Sequence, residues 1–225
     1  MLLSFTHAEA VHTAFPTLAC GIVQVTRISV TADASTVSQP CVSRALERLS
    51  HQNEGDFPEV QAWRRAFSAM GLKPTQHRCA SEALLRRLRK DGTLPSLHPL
   101  VDLCNAVSVA FAIPIAVFDI GKVEGGLTVR PARGDERYDT FSGTIEMPEP
   151  GEIIFADNAG RAHARRWTNR QGAFSAVGPG TTDALIVAEA LHPDAQAVVE
   201  RLVSSLCDAL HSLWPQASVE NRSAP

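Results

Sequence analysis

The chain has 225 residues, of which 44% are hydrophobic and 20% charged, and a formal net charge of −3. That length and composition suit one large globular domain with a substantial core and argue against wholesale disorder. The acidic balance removes the footprint of a general DNA or RNA binder, so any RNA contact has to come from a local basic patch.

Apolar stretches such as Ala106 to Val117 and Ala184 to Leu191 are too short to span a bilayer, so no membrane partner is expected. The opening residues, with Glu9 arriving early and no basic run, do not read as a secretory signal. Cys20, Cys41, Cys79, Cys104 and Cys207 are odd in number and form no C-x-x-C pair. They read as free thiols in a reducing compartment, which points to the cytoplasm. The cysteine and histidine spacings supply no ligand pair of the usual kind, so no metal and no cofactor are expected.

In chain order, His7 to Phe15 reads as a short helix and Thr17 to Ile28, rich in Val, Ile and Thr, as a strand. Thr31 to Thr36 is polar and reads as a loop. Ser43 to His51 carries apolar residues at helical spacing, and Val60 to Met70 is a second helix stopped by Gly71 and Pro74. Ser81 opens a third helix ended by Gly92. Leu100 to Phe111, after Pro95 and Pro99, reads as a buried one. The second half changes character. Ile115 to Ile120, Leu127 to Arg130, Ile153 to Ala156, Ala162 to Trp167 and Leu185 to Ala188 are strand-like, separated by glycine-rich turns. Ala195 to Leu213 is an amphipathic helix, and residues 216–225 read as a frayed tail. The expected architecture is a single mixed α/β (α+β) domain over 1–225. A strand-rich core is flanked by helices, and residues 1–60 pack on it as an N-terminal extension.

Phosphate loops, dinucleotide fingerprints, zincin helices and hydrolase elbows are absent. What remains is a dispersed series: Met70-Gly-Leu-Lys-Pro-Thr75, Val101-Asp-Leu-Cys-Asn105, Pro114-Ile-Ala-Val-Phe-Asp119, Val129-Arg-Pro-Ala-Arg-Gly-Asp-Glu136, Arg166-Trp-Thr-Asn-Arg-Gln171 and Ile186-Val-Ala-Glu-Ala190. In this order the segments resemble the B3/B4 domain of the phenylalanyl-tRNA synthetase β-subunit, which edits tyrosine mischarged onto its tRNA. The family's V-D-x-T-N, P-x-H-A-F-D, v-R-x-A-x-x-G-E and l-L-E-x-A patterns fall on four of them, and the resemblance covers roughly Ala62 to Leu191. The Met-Gly-Leu-Lys-Pro and Trp-x-x-Arg-Gln segments look more like the family's free-standing members. No segment resembles a synthetase catalytic core.

The resemblance implies a pocket that hydrolyses the ester of a wrongly charged tRNA, acting in trans, with the aminoacylated acceptor end as partner. Its pocket glutamate falls on Glu189. Its threonine falls on Cys104 and its histidine on Ala116, two departures that leave a non-catalytic RNA- or amino-acid-binding module as the alternative. An aminoacyl ester is already activated, so its hydrolysis needs a placed water and a stabilised oxyanion more than a strong nucleophile. Glu189 and Asn105 are the candidate catalytic groups. Cys104, Ala116, Trp167, Arg170, Gln171 and Thr182 are the candidate substrate contacts, with Asn105, Glu189 and Trp167 to Gln171 expected in one cleft.

Each candidate also has a structural reading: Asn105 as a backbone cap, Glu189 as half of an ion pair, Cys104 as a small buried hydrophobe. Arg86, Arg87, Arg89 and Lys90 form a basic helix face that either tracks RNA or is simply solvated. Arg165 and Arg166, beside the expected pocket strand, are the other RNA-binding candidates.

Overall fold

The computed structural model describes residues 2–223. Its spine is an antiparallel sheet whose central strand, β10 (Asp183–Ala190), pairs with β2 (Ala19–Thr26) on one side and β3 (Ile115–Asp119) on the other. The outer edge of β2 is covered by β11 (Ser218–Ser223), giving the order β11-β2-β10-β3. β10 is apolar almost throughout because both of its faces are buried. Ala184, Ile186, Ala188 and Ala190 enter a core shared with helices α5 (Pro99–Phe111) and α6 (Ala195–Leu213). Gly21 lets α6 approach this face: a Cβ there would lie 2.4 Å from a methyl of Val203 and 2.8 Å from one of Val199.

Leu185 and Val187 point the other way, into a second core between this sheet and a five-stranded one. That second sheet runs in the order β1-β4-β7-β8-β9, from β1 (Phe5–His7), β4 (Leu127–Pro131), β7 (Ile153–Asp157), β8 (Ala162–Arg165) and β9 (Arg170–Gln171). Only the β1–β4 pair is parallel. Helix α3 (Pro58–Ala69) adds Trp63 and Phe67 to this layer. Helices α2 (Ser35–His51) and α4 (Ala80–Asp91) share a smaller core with α5. Gly92 ends α4 in the left-handed conformation at φ 72°, which a glycine adopts without a Cβ clash. A two-stranded ribbon of β5 (Tyr138–Asp139) and β6 (Ile145–Glu146) completes the mixed α/β fold.

Four sequence expectations change. Only Glu9–Ala14 is helical (α1); His7 belongs to strand β1. Residues 1–60 are not an appendage, since β1 forms an edge strand of the five-stranded sheet and β2 an inner strand of the four-stranded one. The expected frayed tail is strand β11 through Ser223, because the open edge of β2 offers a ladder from Ser218↔Thr26 to Ser223↔Gly21; residues 224–225 lie outside the described residues. Helix α2 also starts earlier than its apolar spacing suggests, because Asp33 accepts hydrogen bonds from the backbone N–H and hydroxyl of Ser35.

Buried histidines give this fold a pH signature. Burial holds His98, His163 and His192 below their ordinary value of 6.5. A group depressed in the folded state favours folding above its unfolded pKa and loses that contribution as pH falls through its folded pKa. Stability is therefore expected to fall as pH drops from 7 to 5, by about 2–4 °C in Tm per kcal/mol lost. Thermal melts of the protein and of His163→Gln check this: the variant should show a shallower dependence over that range.

Candidate functional site

One buried carboxylate reaches the inter-sheet core from β10. Period-two alternation along β10 puts Glu189 on the same face as Leu185 and Val187, and the side chain is 2% exposed. A buried carboxylate is costly without partners, and Glu189 has two. His7 Nε2 lies 2.7 Å from Oε1, and Trp167 Nε1 donates to the same oxygen at 2.9 Å. A carboxylate only accepts, so His7 carries its proton on Nε2. Both bonds fall on Oε1, and Oε2 has no hydrogen-bond partner among the described residues.

Trp167 reaches Glu189 from the opposite sheet through a strained turn. Arg166 and Trp167, at φ 49° and 56°, are consecutive non-glycine residues in the left-handed region, an arrangement that persists where its surroundings hold it. The Trp167 backbone N–H donates to the Ile153 carbonyl at 2.7 Å. Its indole meets Phe15 and Trp63 edge-on, with centroids 5.0 and 4.9 Å away. The segment that follows is tied to the body. Ala80 N–H donates to the Thr168 carbonyl at 2.8 Å, and Asn169 Nδ2 donates to the Arg78 carbonyl at 2.7 Å. Gln171 Nε2 donates to the Val117 carbonyl at 2.6 Å.

Between this segment and β10 lies a cavity of about 50 Å³, walled by Ala80, Pro114 to Ala116, Ala164, Trp167 to Gln171, Val187 and Glu189. The structure thus brings together five of the expected residues: Glu189, Ala116, Trp167, Arg170 and Gln171. It adds His7 behind the carboxylate, a residue that sequence reasoning missed. An isolated histidine in a three-residue strand has no periodic signal, and only the parallel β1–β4 pairing delivers it.

Asn105 and Cys104 are corrections. Helix α5 packs on the other face of the four-stranded sheet, where Cys104 contacts the core of Ile186, Ala188 and Ala190, and neither residue lines the Glu189 cavity. Burial also pushes the Cys104 thiol far above its ordinary range, which leaves no thiolate. Thr182 sits at the far end of β10, where its hydroxyl donates to Asp183 at 3.0 Å, outside the cavity.

The basic candidates divide as well. Arg165 is 5% exposed and held by Glu152 at 2.8 Å and Glu146 at 2.7 Å, so it is an internal ion-pair residue and not an RNA contact. Arg166 is half-buried, its backbone N–H bound to Glu152. Arg86, Arg87, Arg89 and Lys90 are exposed on α4. Arg86 and Arg89 both approach buried Glu54, at 3.2 and 3.0 Å, while Arg87 lies 3.7 Å from Asp91. Arg170 is exposed and pairs with Glu146 at 2.9 Å.

Two other constellations are set aside on physical grounds. His163 lies 2.7 Å from Ser175 Oγ and 3.1 Å from Asp157, a triad-like geometry. Ser175 has no exposed surface, and Asp157 is taken up by the backbone N–H groups of Ala159, Arg161 and Glu124, so the trio fastens the β7–β8 bulge and meets no substrate. A larger open groove of about 690 Å³ runs beside α2 and the α4–α5 loop. Its two carboxylates are already used, Asp33 by Ser35 and Asp102 by Ser96 and Leu97. Among the described residues no cluster of His, Cys, Asp and Glu could hold a metal ion, and no helix is long and apolar enough to cross a membrane.

Comparison with known proteins agrees with this architecture. Over 110 residues the chain is 34% identical to the phenylalanine–tRNA ligase beta subunit of Nocardia farcinica, spanning 49% of this chain and 13% of that protein. The corresponding subunit of Fusobacterium nucleatum is 33% identical over 117 residues, 52% of this chain and 14% of that one. The chain thus matches a small part of these relatives' length. The fold is also similar to an N-terminal fragment of the phenylalanyl-tRNA synthetase beta-subunit from Pyrococcus horikoshii, with a TM-score of 0.53 and 10% identity over 100% of this chain and 55% of that fragment. A model of the B3/4 domain matches residues 62–206, more than half of the sequence, and the chain belongs to the B3/4 domain family.

Proposed function

We propose that this domain binds the aminoacylated 3′ end of a tRNA in the cytoplasm and hydrolyses the ester of a wrongly attached amino acid, in trans. The observation that carries the reading is Glu189: a buried carboxylate with one oxygen fully bonded and the other unpartnered at a cavity. Such a group is matched to a cation or a strong donor, and the α-ammonium of an aminoacyl ester is both. Water then attacks the ester carbonyl carbon. The tetrahedral oxyanion collapses with loss of the ribose oxygen, which takes up a proton, and free amino acid and tRNA leave. Gln171 has one amide hydrogen beyond its bond to Val117, and with Arg170 at the rim it supplies donors for the oxyanion or the terminal phosphate.

The domain's relatives are tRNA ligase subunits, which supports a tRNA context. Incubation with tRNAs carrying tyrosyl, seryl, threonyl, alanyl and glycyl esters tests the reading: release of at least one amino acid, well above the uncatalysed rate, is expected. The second reading, a binding module without chemistry, is favoured by one observation, the alanine at 116 where the family pattern has histidine. Tight binding of charged tRNA with no release of any amino acid would select it.

RNA contact falls to the exposed face of α4. Among the described residues Arg87 and Lys90 carry no buried partner, so changing both to Ala should leave the melting temperature within a degree or two. It should also weaken charged-tRNA binding several-fold and flatten its salt dependence by roughly 0.9 per lost phosphate contact. Filter binding from 50 to 200 mM salt checks this, and an unchanged slope would exclude the α4 face.

A further inference from the structure

We infer that the Glu189 cavity is built for a small aminoacyl group, of glycyl, alanyl or seryl size, and excludes aromatic side chains. This deepens the editing reading and rests on it for the chemistry, but not for the size limit, which follows from the walls. The cavity measures about 50 Å³. An apolar protein cavity that takes a single benzene ring is about 150 Å³, and about 10–15 Å³ of such space holds one water molecule. The space here fits a methyl or hydroxymethyl group with an adjoining amine. A phenol ring needs roughly three times as much.

The wall that sets this limit is Trp167, and it is fixed. Swinging the indole aside would break its bond to Glu189 Oε1 and strip Phe15 and Trp63 of their edge contacts. Its backbone is locked by the left-handed pair Arg166 and Trp167 and by the bond to Ile153. The neighbours Thr168, Asn169 and Gln171 are each pinned to another element, so the wall cannot retreat as a loop would. The apolar floor is made by Ala80, Ala116, Ala164 and Val187, with Pro114 and Ile115 beside them, a surface suited to a methyl-sized group. Two polar features face such a ligand. Glu189 Oε2 has no described partner, and the Thr168 hydroxyl is buried without one. The first matches the α-ammonium and the second a seryl hydroxyl. A buried polar atom left unbonded in a packed core calls for a reason, and a small polar guest supplies one.

The test separates size from chemistry by reading binding and hydrolysis independently. Alaninamide and tyrosinamide are titrated into the protein up to millimolar concentration, and the amide resonances of Gln171 and the indole N–H of Trp167 are followed. Alaninamide should shift both, and tyrosinamide should bind at least ten-fold more weakly. Ala116→Leu, which fills the floor, should abolish the alaninamide response while keeping the wild-type dispersion elsewhere. Trp167→Ala should raise tyrosinamide affinity relative to alaninamide. Where that variant does not fold, the Ala116→Leu result decides. Equal binding of the two amides, or no response to either, overturns the inference. In the parallel assay, alanyl- or seryl-tRNA should be deacylated at least ten-fold faster than tyrosyl-tRNA. Preferential alaninamide binding with every ester inert would uphold the size limit and sink the hydrolytic reading. Tyrosyl release as fast as alanyl release would do the opposite.

Discussion

Glu189→Gln is expected to cut deacylation by about 10²–10³-fold while leaving the fold nearly intact. The amide keeps the shape of the side chain and one carbonyl oxygen to accept from His7 and Trp167. What it loses is the negative charge at the unpartnered oxygen. One preorganised group aimed at the reacting ester is worth about that factor in rate. Glu189→Ala should behave differently, because the His7 and Trp167 N–H groups would stay buried without an acceptor. Each such orphan costs about 1–3 kcal/mol, so the alanine variant should also melt well below the parent. Rate and melting temperature measured on both variants separate the two roles. Equal melting losses for Gln and Ala, with activity spared in Gln, would make Glu189 a structural residue.

Arg165→Ala should destabilise the domain by about 3–5 kcal/mol, the largest stability effect expected of any single change outside the hydrophobic cores. Its guanidinium is nearly buried and donates to both oxygens of Glu152 and to Glu146. Removing it leaves Glu152, itself 7% exposed at the side chain, without its counter-charge. Burial alone would push the Glu152 carboxyl up, yet hydrogen bonds and charge from Arg165, with help from Arg166, hold it below the usual range. A carboxyl lowered in this way favours folding above its unfolded pKa and loses that contribution as pH falls through the folded value. The wild type should therefore shed this stability in acid below about pH 4.5, while Arg165→Ala has already lost it at pH 7. Urea unfolding at pH 7 and pH 4 measures the difference. If the variant unfolds like the parent but loses only RNA affinity, Arg165 is a surface contact after all.

Arg165 is a residue whose surroundings a linear reading misplaces. Arg165 and Arg166 look like a basic patch in the sequence, but strand β8 turns the first inward against Glu152, 13 residues away in the chain. Long-range pairing of this kind leaves no local periodicity. The same holds for Asn105: its motif position matches the family, yet the face of α5 it occupies was set by which side of the sheet the helix covers. By contrast, helices α3 to α6 and strands β2, β3, β4 and β7 were legible, because each has an apolar repeat bounded by Gly, Pro or a polar turn. The short strands β1, β5, β6 and β9 exist only through their partners, and β11 only through the free edge of β2. Glu189 stood out in sequence as a charge inside an apolar run, and the fold leaves one of its oxygens without a partner among the described residues, which makes it a candidate site.

The most direct test of the account is whether the Glu189 carboxylate holds the substrate's α-ammonium. Alanyl-tRNA and lactyl-tRNA carry the same RNA, ester linkage and methyl group, and differ in whether the α-carbon bears an ammonium or a neutral hydroxyl of similar size. Single-turnover deacylation by the wild-type protein should release alanine and leave the lactyl ester at its uncatalysed rate. Glu189→Gln should remove the distinction by slowing the first to the level of the second. Equal release from both esters by the wild type would contradict the account.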